Sequence, residues 1–208
     1  MENVIEETIE NQDWIDKAAD PVHHAIASTL EKTPRLASVL HGNFMGHPLH
    51  SAMVAVPIGA WSAGAVMDVL ELTGTKKLRA AADLTAFIGL AGALSAAIPG
   101  LADWSTTEGN AKRVGFIHAA TNIVVSGLYG ASLLARASKK RGLGIALSLV
   151  GMGLVGLSGW LGGELSFKYG VGVRKEAFKA SRSSRRNIKE TDVEHRVTVS
   201  TKRPYAHA

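Results

Sequence analysis

Five side chains could act together as ligands if the fold gathers them: His47, His50, Asp103, His118 and Glu164. Imidazole nitrogens and carboxylate oxygens suit Zn, Fe or Mn. Two histidines on facing helices can also supply the axial pair that holds haem b in a helical bundle. Cysteine is absent, which excludes disulfides, thiolate chemistry and cysteine-held clusters. No nucleophile–base pair and no phosphate-binding glycine loop stands out, so the reading leans away from an enzyme.

The elements that must position these residues are four apolar runs in a chain of 208 residues. We divide it into a polar N-terminal segment (1–46), a four-span domain (47–167) and a basic, largely disordered tail (168–208). The runs cover about 48–72, 78–101, 114–135 and 143–163. A run of ~24 residues at ~1.5 Å each crosses the ~30 Å hydrocarbon core. Pro57 predicts a kink in the first. A soluble bundle would need a polar face on every helix, and the second and fourth runs show almost none. The expected fold is therefore all-α, an integral membrane up-and-down four-helix bundle with polar tails. Gly92, Ala96 and Gly100, and again Gly159 and Gly163, have the spacing of close helix contact in lipid. Trp104 and Trp160 suit an interfacial belt. Pro21 is expected to open a short amphipathic helix over 22–32. The basic run that follows Lys168 suits anionic lipid headgroups better than nucleic acid, because it follows a membrane span directly.

Short turns force consecutive spans to alternate in direction. The start of the first, the end of the second, the start of the third and the end of the fourth then share one face. At about 100° per residue, His50, Pro57, Trp61 and Asp68 fall on one side of the first span. His118, Asn122, Ser126 and Tyr129 form a stripe on the third. Both stripes should face inward, because polar groups are costly in lipid. The candidate haem contacts are His47, His50, His118, Trp61 and Asn122, with Arg113 for a propionate. The candidate metal set is His50, His118, Asp103 and Glu164. At the opposite edge, near Lys76, Lys77 and Arg79, Asp83 is expected to complement a helix N-terminus and Asp68 to pair with the basic turn. The competing reading is a structural or interaction protein with no cofactor, whose histidines only satisfy one another.

Several stretches resemble a bacterial family of four-helix membrane proteins of unknown function. They are Leu40-His41-Gly42, Gly46-His47-Pro48-Leu49-His50, Val56-Pro57-Ile58-Gly59-Ala60-Trp61 and Gly100-Leu101-Ala102-Asp103-Trp104. Arg113 through Ala119, Leu161-Gly162-Gly163-Glu164 and Gly170-Val171-Gly172-Val173 continue the match. Some members of that family carry a Rieske iron–sulfur domain after the last motif, which implies electron transfer and a redox protein partner. This chain has a basic tail there and cannot hold such a cluster. It also has Ser51 where the signature usually has proline, and Glu164 where the Rieske-bearing members often have histidine.

The functional expectation is thus a multi-pass membrane protein binding haem b, or a Zn or Fe ion, for electron transfer. Its partners would be the bilayer, a redox protein and a second copy of itself, with nucleic acid not expected. The expected location is the bacterial inner membrane. An even number of spans puts both termini on one side. The acidic N-terminus has no signal peptide, and the long basic tail would otherwise have to be exported. Both termini and the histidine cluster are therefore placed on the cytoplasmic face. The basic short turns, with Lys76, Lys77, Lys139 and Lys140, argue the other way.

Overall fold

The computed structural model describes residues 8, 9 and 11–172. The expected headgroup-binding run from Arg174 lies outside the described residues. Helix α1 covers Asp13–Lys32 and α2 covers Pro34–Leu40. The first span is a short α3, Leu49–Met53, followed by α4, Ala55–Leu72. A 3-10 turn, Lys76–Leu78, leads into α5, Arg79–Trp104. Then come α6, Gly109–Ala137, and α7, Arg141–Gly163, which runs on into a π turn, Glu164–Lys168. No strand occurs among the described residues.

Four helical stretches of 24, 29, 29 and 28 residues are long and apolar enough to cross a membrane. Their burial pattern is that of a protein in lipid. Ile123 is 74% exposed and Leu134 72%, while Asp68 is 2% exposed. A water-soluble bundle reverses that order. In a bilayer the apolar side chains face the tails and ionised groups turn inward.

Local sequence explains the breaks. Pro57 has no N–H to give the Met53 carbonyl, and its ring crowds that turn. The expected kink is therefore realised one turn earlier, as the interruption at Val54 between α3 and α4. The spans also run further than expected. Asp103 and Trp104 are still helical, and the polar loop shrinks to the residues between Ser105 and Glu108.

The N-terminal helix differs most from expectation. It begins at Asp13 and carries Pro21 inside rather than at its start. Asp13 and Asp16 in its first turn favour that start electrostatically. Ile15 and Ala19 are buried, with Ile15 packing beside Val114, Leu161 and Leu165. Docking on the bundle thus extends a helix that hydrophobic spacing alone would begin at Pro21. The docked helix also covers Trp104, which is 6% exposed rather than interfacial. The Trp104 indole N–H donates to the Lys112 carbonyl at 2.9 Å, and the His23 ring meets its face edge-on at 5.0 Å.

The two helical hairpins repeat one set of contacts. On the first and third spans, His118 follows His50, Tyr129 follows Trp61 and Arg136 follows Asp68 by 68 residues each. Each pair meets across the bundle. The imidazoles are edge-to-face at 6.4 Å, the aromatic rings stack at 4.1 Å and 9°, and the charges form an ion pair. On the second and fourth spans the offset is 62: Ala96 answers to Ser158, Gly100 to Gly162 and Gly89 to Gly151. A Cβ on Gly100 or Gly162 would strike the imidazole of its own hairpin, and one on Gly89 or Gly151 would meet Trp61 or Tyr129. The close-approach row on α7 is thus 151, 158 and 162, whereas Gly159 and Gly163 have open space.

Candidate functional site

Polar groups line the seam between the two hairpins at three levels. Trp61 lies eleven residues after His50, and Asp68 lies eighteen after it. At ~1.5 Å per residue those are depths of roughly 16 and 27 Å. The histidines therefore mark one edge of the bilayer core and the ion pair the other.

At the histidine level, His50 Nδ1–H donates to the Ala96 carbonyl at 2.8 Å. His118 Nδ1–H donates to the Ser158 carbonyl at 3.0 Å, with Ser158 Oγ also within 3.1 Å. Each carbonyl belongs to the other helix of the same hairpin. These bonds place the proton on Nδ1 and leave the lone pair on Nε2. Asn122 Nδ2 donates to His118 Nε2 at 3.1 Å and to the His118 carbonyl at 2.9 Å. Gly100 and Gly162 let the rings lie against backbone, since an added Cβ would sit 2.7 Å from His50 Nδ1 and 3.2 Å from His118 Cε1.

The remaining candidates lie elsewhere. His47 is in the turn before Pro48, exposed, with Nδ1 bonded to the Met45 carbonyl at 3.1 Å. It precedes α3, so it does not share the His50 bearing. Asp103 pairs with His41 Nδ1 at 2.8 Å rather than with His50 or His118. Glu164 is partly buried at the start of the π turn. Among the described residues no group of three or more His, Asp or Glu side chains is placed to hold a metal ion. Arg113 is engaged by Asp16 at 2.5 Å and by Asp13 at 3.4 Å, and neighbouring Lys112 by Asp16 and Asp20. Arg113 chiefly, then Lys112, holds the Asp16 carboxyl below its ordinary pKa. These bonds tie α1 across the mouth. Trp61 sits one level below the histidines, its indole N–H on the Ala86 carbonyl at 3.3 Å. Stacked on it, Tyr129 has a buried hydroxyl with no hydrogen-bond partner.

The ion level is richer than expected. Arg136 grips Asp68 through two bonds of 2.5 and 2.9 Å, and reaches Asp83 at 2.9 Å and Ser132 at 3.1 Å. Ser148 Oγ donates to Asp68 at 2.8 Å. Arg141 bonds Glu71 at 2.6 Å and Asp83 at 2.9 Å, and Arg79 bonds Glu71 at 2.7 Å. Three carboxylates thus balance three guanidiniums. Asp68, expected to pair with the basic turn, pairs with Arg136, and Asp83, expected to complement a helix N-terminus, bonds Arg136 and Arg141. Planar guanidinium forks explain the choice, since each can bind two acceptors at once. Arg136 and Glu71 carry a sequence signal, as charges within reach of the inward stripes. His41 precedes the first span, so helical period says nothing of it, and its one signal is the Leu40-His41-Gly42 stretch of the family resemblance.

A family model described as predicted membrane protein (DUF2231) matches residues 46–175. Comparison with curated proteins and with solved structures gives no match.

Proposed function

The chain belongs to the DUF2231 family of predicted membrane proteins, and from that premise we propose that its paired histidines would hold haem b in a multi-pass electron-transfer protein. The observation that carries this reading is the His50–His118 pair itself. One imidazole comes from each hairpin, the ring centres are 6.4 Å apart, and each Nδ1–H is committed to a main-chain carbonyl. With both protons on Nδ1, Nε2 is the nitrogen through which each ring would hold the iron. A hydrogen bond from the other ring nitrogen to a carbonyl is the usual support of a ligating histidine, because it fixes the tautomer and raises basicity.

The donor set fits haem better than a bare ion. A Zn or Fe ion wants at least three protein ligands, and the described residues hold no such group. Haem brings four nitrogens of its own and asks the protein for two. Asn122 would have to leave His118 Nε2, and it keeps the His118 carbonyl at 2.9 Å as an acceptor when it does. When bound, haem supplies a reversible one-electron couple. This chain's residues orient the imidazoles and hold them in a lipid-shielded seam.

The test is an absorption spectrum of the full chain purified from haem-supplemented cells of a bacterial host. A Soret band with a sharpened α band on reduction is expected, and it should be absent from His50→Ala and His118→Ala. A folded, colourless wild-type protein overturns the reading. It would favour the second one, a cofactor-free structural membrane protein. That reading draws on one specific observation: both nitrogens of His118 are already partnered inside the bundle.

A further inference from the structure

Asp103 is a carboxylate that the paired histidines do not use, and it bonds a histidine that lines a separate cleft. It closes α5 one turn past Gly100 and is 7% exposed. Its Oδ1 accepts a hydrogen bond from His41 Nδ1–H at 2.8 Å. On its other side, a Cβ on Gly172 would lie 3.4 Å from Asp103 Oδ2. Gly42 and Gly172 both have left-handed backbone, φ +70 and +72. Gly42 starts the return of the chain over this spot, where an added Cβ would strike the His47 carbonyl. Two tight turns therefore converge on a buried carboxylate that orients one imidazole.

His41 lines an open cleft of about 490 Å³ between α1, α2 and the end of α5. One wall is apolar, with Leu30, Pro34 and Ala37. The other is polar, with Ser38, Asn43 and Thr106 around His41. With Nδ1–H held by Asp103, the neutral ring of His41 carries its acceptor lone pair on Nε2, and the ring is 27% exposed. Among the residues lining the cleft none is Lys or Arg, while Glu31 is present. Negative charge with no fixed cation disfavours a phosphate or carboxylate ligand.

We infer that the cleft over the His41–Asp103 pair binds a small neutral amphiphile that presents an O–H to His41 Nε2, of the phenol or hydroquinone class. The ring of the ligand packs on the Leu30–Pro34–Ala37 wall, and hydroxyls of the polar wall meet its remaining oxygen. Asp103 is a positioning residue: it holds the imidazole in the accepting tautomer. This site needs no haem and stands or falls independently of the paired-histidine reading.

The test is calorimetric titration of the full chain in detergent with a short-chain alkyl hydroquinone. Saturable binding is expected. His41→Ala should weaken it by about tenfold or more, because the ligand hydroxyl loses its acceptor. Ala37→Trp should abolish it by filling the apolar wall while leaving the His41–Asp103 pair intact. An unchanged circular dichroism melt verifies folding of each variant. Absence of saturable binding to the wild type overturns the inference. So does Ala37→Trp binding as tightly as the wild type, which would mean simple partition into the micelle. Displacement by an equal concentration of a short-chain anionic phospholipid also overturns it, assigning the cleft to headgroups.

Discussion

Asp68→Asn tests whether the charged level of the seam holds the hairpins together. The substitution keeps shape and removes one charge from a set of three carboxylates and three guanidiniums. Arg136, whose side chain is 2% exposed, then loses the partner it grips at 2.5 and 2.9 Å. Stranding one half of a buried pair costs ~3–5 kcal/mol. Arg136 keeps Asp83 at 2.9 Å and Ser132 at 3.1 Å, which sets the expectation at the low end, ~3 kcal/mol. For a chain of this size, ~1 kcal/mol moves Tm by ~2–4 °C, so the expected fall is ~6–12 °C. The assay is a thermal melt of the detergent-purified protein followed by circular dichroism. A paired change, Asp68→Leu with Arg136→Leu, leaves Glu71 and Asp83 balanced by Arg79 and Arg141, and should recover most of the loss. The exchange Asp68→Arg with Arg136→Asp should recover less. The native pair is assisted by Ser132 and Ser148, and the repeat-equivalent positions are Gly64 and Ala86, which carry no hydroxyl. An Asp68→Asn melt indistinguishable from wild type, or a double leucine variant no more stable than the single one, would refute the argument.

Four further outcomes are expected. Gly100→Val should displace His50 from the Ala96 carbonyl, since a Cβ there sits 2.7 Å from Nδ1, and Gly162→Ala at 3.2 Å should act more weakly; imidazole NMR chemical shifts report both. Tyr129→Phe removes a buried hydroxyl that has no partner, so the melt should stay level or rise, by up to ~1 kcal/mol in stability. The α1 clasp should loosen in acid and in salt: Asp16 is held below its ordinary value of 3.8, so its contribution is full above that value and lost as pH falls through the lower folded one. Limited proteolysis near Asp13 should speed up in that range and at 1 M salt, where screening shortens to ~3 Å. A C-terminal fluorescent-protein fusion should glow in a bacterial host and an alkaline phosphatase fusion stay silent; the reverse pattern would put the histidine pair on the outer face.

Four spans and their inward stripes were legible in the sequence, because lipid imposes a composition and a length that local sequence must satisfy. His50, Pro57, Trp61 and Asp68 share a face by helical period alone, and the expected kink at Pro57 needs only the missing N–H. The internal repeat was hidden. Its paired positions hold Pro57 and Val125, Trp61 and Tyr129, Asp68 and Arg136, residues alike in place and unlike in type.

Helical period sets the bearing of a side chain on its own helix. It does not set the rotation of one helix against another, nor which of several charges at one level will pair. Those were decided by packing. Asp103 was expected beside His50 and went to His41, because the turn at Gly42 folds a segment from outside the membrane domain onto the end of α5. Arg113, expected to be available for a propionate, was taken by Asp16 when α1 docked through Ile15. Arg136 was drawn inside by two carboxylates on two other helices. The solvent of each segment was thus set by sequence, and the partner of each polar group by the tertiary contacts that bring distant segments within a few ångströms.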